Sequence, residues 1–387
     1  MSEEEKILER RVAKVLPSKK GLLELMSKKK LKVYQGFDPT ATQLHLGHTV
    51  GFRKLMDFAD AGHEVIFLFG TGTVLVGDPS ERETGRKLIT QKEIDENIKT
   101  WKDQASTIVD FSKVKIQKNG DWLNDLKLKD LVSIASNVSA VQLFKREMFQ
   151  RRIKKGDTVW YHETMYPLLQ GYDSVAMDVD LEIGGTDQEF NMLIGRELQK
   201  KMNNREKYVL ETPMIPGTDG RTMSKTSGNT IPLTDAPNDM YAKIMSVNDD
   251  LIITYMELLT DIPSENVHQY KTQLKNGDIE HIQLKKILAH TIVSDIKGQN
   301  EADNAQGYFE KTFQRGEPEY KKNWKYKEDT TLVDISADFM DSRSQAKRVI
   351  AQGGVSINGK VEKDPTKRVN IDDKVKIGSH NFIKVVK

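Results

Sequence analysis

Apolar positions along this chain switch between two periods, and the switches mark out its elements. Ile7, Leu8, Val12 and Val15 fall near helical spacing, so residues 1–30 are expected to form a helical entry. Residues 32–36 then read as a strand, and residues 45–61 as a helix that Gly62 is placed to end. The run Glu64–Phe69 is short and almost wholly apolar, as a parallel strand buried on both faces requires. A glycine-rich loop through Gly70, Gly72 and Gly77 leads to Asp78-Pro79. Thr90-Gln-Lys-Glu93 has the form of a capping box, so another helix is expected to start there, and residues 114–117 look like a strand. Strand, helix and strand in this order are the unit of a doubly wound α/β fold with a parallel sheet.

Residues 127–200 carry mainly helical signal, interrupted near Gly156 and by a strand-like alternation at 178–184 that ends in two glycines. Residues 234–313 have few turn formers and apolar residues three and four apart, the mark of a helical domain. Residues 314–330 are polar, with Gly316 and Pro318, and read as a linker. Beyond it, helical signal runs to about Gln352. Asn358-Gly359 then sits between two short β runs, the strongest short-range hairpin signal. Residues 374–377 and 382–386 read as further strands. The division expected is a doubly wound domain at 1–230 with a helical insertion, a helical domain at 231–315, a linker at 316–330 and a small α+β domain at 331–387.

Composition narrows the chemistry. The chain has 387 residues and a net charge of +2, so it is no polycation and any polyanion must meet a local surface. That surface has a candidate: residues 331–387 carry a net +4, and the rest of the chain −2. There is no cysteine, which excludes disulfides, thiolate catalysis and cysteine-bound metals. No apolar run approaches the ~20 residues that span a bilayer. The start, Met-Ser-Glu-Glu-Glu, is neither a secretory signal nor a transit peptide, and a cytoplasmic address is expected.

Two segments carry candidate chemistry. From Tyr34 to His48 the chain reads as a strand end, a Gly/Pro turn, and a helix opening on His45-Leu-Gly-His48. Backbone can approach a ligand closely at Gly36 and Gly47, and a helix start attracts phosphate. Far downstream, Arg221-Thr-Met-Ser-Lys225 reads as a basic loop, whose lysine could be solvated or could neutralise phosphate. Together these resemble the HIGH and KMSKS motifs of class I aminoacyl-tRNA synthetases. The resemblance implies ATP as a substrate and formation of an aminoacyl adenylate, with His45, His48 and Lys225 acting on the phosphates and Met223 and Ser224 beside the nucleotide. Thr222 stands where the family usually has a first lysine, and Arg221 offers a charge in compensation.

On a helix Tyr166, Gln170 and Asp173 share one face, which suits either an ordinary polar surface or a pocket for a hydroxyl-bearing amino acid. This Tyr-x-x-x-Gln-x-x-Asp pattern is similar to that of the bacterial-type tyrosyl members of the family. The resemblance implies L-tyrosine as substrate, with Tyr34 and Asp173 bracketing its hydroxyl, Asp78, Tyr166 and Gln170 holding its ammonium, and Gln188 near its carboxylate. Gly184-Gly-Thr-Asp187 fits close approach of adenosine at Gly185 and a ribose contact from Asp187, and Asp38 and Thr40 are further candidates for the nucleotide. Arg82 and Arg86 lie in a charged loop that could be merely solvated or could reach pyrophosphate. Mg²⁺ is expected with ATP, held mainly by phosphates and water, with no dedicated protein site.

The helix 145–155 has six basic residues and one acidic one, among them Arg146, Arg151 and Arg152; it could be a solvated face or could track tRNA phosphates. Arg343, Lys347 and Arg348, followed by the hairpin, resemble the small RNA-binding domain first recognised in a ribosomal protein, which bacterial tyrosyl members carry at this end. The family also implies a homodimer that charges tRNA(Tyr). A tryptophanyl enzyme, or an RNA-binding protein on a synthetase scaffold without catalysis, are the competing expectations.

Overall fold

The computed structural model describes residues 2–79, 89–221, 223, 228–315, 320, 322–340, 342–378 and 381–387. The chain divides into two compact units, Met1–Ala302 and Asp303–Lys387.

The first unit is built on a six-stranded sheet: β1 (Lys14–Leu16), β2 (Lys32–Phe37), β3 (Glu64–Phe69), β4 (Val114–Lys118), β5 (Leu181–Gly185) and β6 (Tyr208–Thr212), in the order β1-β6-β5-β2-β3-β4. All neighbours are parallel except β1, which pairs antiparallel with β6. From β2 the chain winds outward through β3 to β4, and β5 and β6 are added on the other side. The carboxyl ends of β2 and β5 therefore face a crevice where the winding reverses, the place open α/β sheets offer to ligands. The doubly wound expectation holds. The helical entry over 1–30 does not: only Glu3–Ile7 and Lys19–Met26 are helical, and the intervening Lys14–Leu16 is an edge strand, its three residues fixed by ladder bonds to Val209–Glu211 rather than by their own periodicity.

Beside this sheet lie the helices Pro237–Met245, Ile252–Leu259, Ser264–Asn276 and His281–Lys297. The Ile252–Leu259 helix ends on carbonyls with no partner in the helix itself, a general need of C-termini. Arginines from the N-terminal segment meet it. Arg10 donates to the carbonyls of Met256, Glu257, Thr260 and Ile262, and Arg11 to those of Leu258 and Thr260. Arg11 is also paired with Asp57 and Asp261, and Arg53 with Asp261 and Asp295. Arg11 has φ of 58°, a left-handed conformation that a side chain adopts only when its surroundings enforce it. Arg11→Ala is expected to lower the stability of this unit by about 1–3 kcal/mol, because it leaves the buried Leu258 carbonyl without its donor and takes one partner each from Thr260, Asp57 and Asp261. Urea unfolding followed by circular dichroism checks this, and a change below about 1 kcal/mol would contradict it.

The second unit holds a five-stranded sheet of β7 (Lys322–Lys325), β8 (Val355–Ile357), β9 (Lys360–Val361), β10 (Lys374–Ile377) and β11 (Asn381–Val386), in the order β7-β11-β10-β8-β9. Leu332, Ile335, Ala346 and Ile350, from the helices Leu332–Ala337 and Arg343–Ala351, pack with Val375, Ile383 and Val385 of the sheet. The β8–β9 hairpin turns through Asn358 and Gly359 at φ of 49° and 82°, the two left-handed residues a tight hairpin demands. The linker expectation needs correction, since β7 falls inside it and pairs parallel with β11.

Candidate functional site

At the crevice between β2 and β5 lies a cavity of about 240 Å³. Tyr34, Gly36, Asp38 and Thr40 reach it from β2 and the turn after it, and Asp78 from the glycine-rich loop. The Tyr161–Met177 helix contributes Tyr166, Gln170 and Asp173, the end of β5 and the turn after it contribute Gly185 and Gln188, and the Leu46–Asp60 helix contributes His48. Most of the residues expected for tyrosine and the nucleotide, drawn from five separated stretches of chain, thus line one cavity.

Asp173 forms part of the cavity wall and is only 2% exposed. Asn119 Nδ2 donates to Asp173 Oδ2 at 3.0 Å and Trp122 Nε1 to Oδ1 at 2.8 Å. Burial pushes the Asp173 carboxyl well above the usual range, against the pull of these two donors. Tyr34 is equally buried, and its hydroxyl lies 2.9 Å from Ser174 Oγ. Burial, with the nearby charges of Glu182 and Asp173, pushes its phenol up, so it stays a neutral hydrogen-bonding group. Asn119, Trp122 and Ser174 were not foreseen. Asn119 directly follows β4, at the carboxyl edge where α/β sites gather, and that position was the available signal.

Tyr166 donates its hydroxyl to Asp38 Oδ2 at 3.0 Å, while Asp38 Oδ1 accepts from Thr73 at 2.7 Å. Gln170 donates to Glu182. Gln188 Nε2 bridges Asp78 Oδ2 at 2.8 Å and Asp187 Oδ2 at 2.7 Å, and Asn191 donates to its oxygen. Burial raises the Asp187 carboxyl, and Gln188 opposes the shift. Asp38, Asp78, Asp173 and Glu182 make the cavity strongly acidic, which suits a ligand with a cationic end.

His45 is the N-cap of the Leu46–Asp60 helix. Its Nδ1 accepts from the Gly47 N–H, and His48 Nδ1 accepts from the His45 N–H, each at 3.2 Å. The ring centroids are 4.1 Å apart. A Cβ on Gly47 would lie 2.9 Å from His45 Cε1, so only glycine lets the imidazole fold back over the helix start. Met223 Sδ stands 3.4 Å from the same point. Residues 231–233 are fastened beside the histidines, with Leu46 N–H donating to Ile231 and Leu233 N–H to Leu44. Arg82, Arg86, Ser224 and Lys225 lie outside the described residues. Arg221 is held by Asp219, Nη2 to Oδ2 at 2.7 Å, so the compensating charge proposed for it is already engaged.

The expected RNA-contacting residues divide. Arg151 is exposed beside Glu147, as are Arg343, Lys347 and Arg348 on their helix in the second unit. Arg146 and Arg152 are not surface residues. Arg152 is 5% exposed and is engaged by Glu163 and the Thr158 carbonyl; Arg146 is 8% exposed and lies over the rings of Phe190 and Phe149. A count of charges along a helix cannot tell a guanidinium folded inward from one facing water. Among the described residues no group of three or more His, Asp or Glu converges as metal ligands, and no helix is long and apolar enough to cross a membrane.

Comparison with known proteins follows the same lines. The family described as "tRNA synthetases class I (W and Y)" matches residues 26–314, and the S4 domain matches residues 337–375. A tyrosine–tRNA ligase of Thermotoga maritima is 38% identical over 99% of this chain and 97% of its own. Tyrosine–tRNA ligase 2 of Vibrio cholerae is 40% identical over 92% of this chain and 91% of its own. Among solved structures, a tyrosyl-tRNA synthetase from Archaeoglobus fulgidus complexed with L-tyrosine has a TM-score of 0.64 at 21% identity, over 79% of this chain and 99% of that one. A C-terminally truncated mitochondrial tyrosyl-tRNA synthetase from Aspergillus nidulans has a TM-score of 0.68 at 21% identity, covering 80% and 94%. These two show likeness of fold.

Proposed function

We infer the reaction from one premise: the chain belongs to the class I tRNA synthetases of the W and Y type. It activates L-tyrosine with ATP, giving tyrosyl adenylate and pyrophosphate, and then passes the tyrosyl group to a 3′-terminal ribose hydroxyl of tRNA(Tyr). The observation that carries tyrosine rather than tryptophan is Asp173, a buried carboxyl aimed at a cavity it shares with Tyr34. A phenol can donate to Asp173 and accept from Tyr34, whereas an indole N–H can donate to the carboxylate but offers no acceptor to Tyr34. Pyrophosphate exchange into ATP with each amino acid in turn tests this. Exchange with tyrosine alone is expected, and exchange with tryptophan alone, or with none, would overturn the reading.

In the first step the tyrosine carboxylate attacks the α-phosphorus, a carboxylate O–P bond forms, and the bond to the β-phosphate oxygen breaks. The carboxylate is already a nucleophile, so the site's task is placement and charge stabilisation. We assign Tyr34 and Asp173 to the substrate hydroxyl, Asp78, Tyr166 and Gln170 to its ammonium, and Gln188 to its carboxylate. Gly36, Asp38, Thr40, Gly47, Gly185, Asp187, Met223 and Ser224 are assigned to ATP, with His45, His48, Lys225, Arg82 and Arg86 on its phosphates. Mg²⁺ would enter with ATP, held mainly by phosphate oxygens and water. Lys225→Ala is expected to slow single-turnover adenylate formation by about tenfold or more, the loss of one charged donor, while changing tyrosine affinity little. An unchanged rate would remove Lys225 from the assignment.

For RNA we assign Arg151, Arg343, Lys347 and Arg348. The functional division is a catalytic domain at 1–230, a helical domain facing the anticodon stem at 231–315, and an RNA-binding domain at 331–387 whose sheet also takes in β7. The compartment is the cytoplasm. A homodimer is supported by Leu128, Val132, Val141, Trp160 and Tyr161, large apolar side chains exposed within one stretch of helices, Tyr161 to 80%. The double variant Val132→Asp, Tyr161→Asp is expected to sediment as a monomer where the parent sediments as a dimer; two species of equal mass would overturn this.

A further inference from the structure

We propose that the buried ion pair between Lys207 and Glu182 is a positioning device: it fixes which end of the Gln170 amide faces the cavity, and so sets affinity for the substrate's ammonium group. The inference rests on the tyrosine reading above and adds two residues that it does not use.

Lys207 immediately precedes β6 and Glu182 lies on the adjacent β5. Lys207 is 0% exposed and Glu182 2%, and the ammonium is bonded to Glu182 Oε2. Room for that ammonium is specific. A Cβ on Gly195 would stand 2.6 Å from Lys207 Nζ, so any other residue there would displace the ammonium. A pair of this depth adds little net stability over apolar side chains of the same size, which directs attention to what it touches.

It touches Gln170. Glu182 Oε1 accepts from Gln170 Nε2 at 3.0 Å, and Gln170 Oε1, also buried, has no hydrogen-bond partner among the described residues. Gln170 lines the cavity. An amide is nearly symmetric in shape, and packing alone does not decide which end faces inward. The charge on Glu182 decides it. Turned over, Gln170 would set its carbonyl oxygen against a carboxylate and present an N–H to a cationic ligand. In the observed orientation the unpartnered acceptor is left for a donor arriving in the cavity, as an ammonium would. Lys207 keeps this arrangement by offsetting the carboxylate's charge. Held by Lys207 at Oε2, Glu182 turns Oε1 toward the Gln170 N–H.

The pair also reaches the hydroxyl end, since Lys207 donates to Ser174 Oγ at 2.8 Å, and Ser174 is bonded to Tyr34. Ser174 Oγ also lies 3.4 Å from Glu182 Oε2, a partner that remains when Lys207 alone is replaced, so the hydroxyl end serves as an internal control for that variant. The test is calorimetric titration of three ligands: tyrosine; tyramine, which has ammonium and hydroxyl; and 3-(4-hydroxyphenyl)propanoate, which lacks the ammonium. Lys207→Met should weaken tyrosine and tyramine at least about tenfold, the worth of one hydrogen bond to a charged group, and leave the propanoate within about twofold. Should that variant fail to fold, the apolar double variant Glu182→Leu, Lys207→Met removes both charges together, and the same selective loss is expected of it. Equal loss for all three ligands would mean a merely structural role, and no loss would mean no role; either overturns the proposal. A parent protein that binds no tyrosine would instead overturn the reading it rests on.

Discussion

Asp173→Ala will raise the KM for tyrosine by roughly 10–100-fold and remove most of the discrimination against phenylalanine, which a site built on a buried hydroxyl partner can hold at about 10⁴–10⁵. The parent carboxylate is served by Asn119 and Trp122. It is thereby held in place to accept from the one donor phenylalanine lacks. With phenylalanine bound, the carboxylate and the Tyr34 hydroxyl would stay buried without that partner, and this loss is the source of selectivity. Alanine removes the acceptor that tyrosine uses and phenylalanine does not, so tyrosine loses more than phenylalanine does. The ratio of kcat/KM for the two amino acids in pyrophosphate exchange measures it. A ratio equal to that of the parent would move the hydroxyl elsewhere in the cavity.

His45→Ala should lower the single-turnover rate of adenylate formation by about 10²–10³, the cost of losing one preorganised donor to developing charge. Tyrosine affinity should stay close to that of the parent. The imidazole is placed with unusual completeness. Its Nδ1 accepts from the Gly47 N–H, which in the neutral ring leaves the proton on Nε2. Its neighbour His48 is fixed in turn by the His45 N–H. The same change removes a helix cap, so a stability loss near 1 kcal/mol is expected alongside the rate effect and must be separated from it by a thermal melt. A rate within threefold of the parent would assign the phosphates to other groups.

How far these assignments could be read from the sequence depended on the range of the interaction involved. The strand Glu64–Phe69 and the capping box at Thr90 are local matters of apolar run and side-chain reach, and both stand where expected. So does the Asn358-Gly359 turn, which needs only its own two dihedral angles. The edge strands β1 and β7 were missed because nothing local makes them strands. Lys322–Lys325 has no alternating apolar face and is ordered by its ladder with β11. The Tyr166, Gln170 and Asp173 face was visible as helical spacing, yet the groups that orient it were not. Asn119, Trp122, Ser174, Glu182 and Lys207 act through contacts between distant stretches of chain. Arg152 shows the converse. Its partner Glu163 is eleven residues away, and only tertiary packing turns a basic helix face into a buried pair.

The Leu46–Asp60 helix carries His48 in its first turn and Arg53 and Lys54 further along, both buried and both held by carboxylates. Its start is fastened to Ile231 and its middle to Asp261 and Asp295. The imidazoles are therefore seated on a clamped rod before any nucleotide arrives. The rotational freedom they would otherwise surrender on meeting a phosphate is surrendered when the chain folds. The association with ATP then needs less ordering of the protein, and more of the intrinsic interaction energy remains for lowering the barrier.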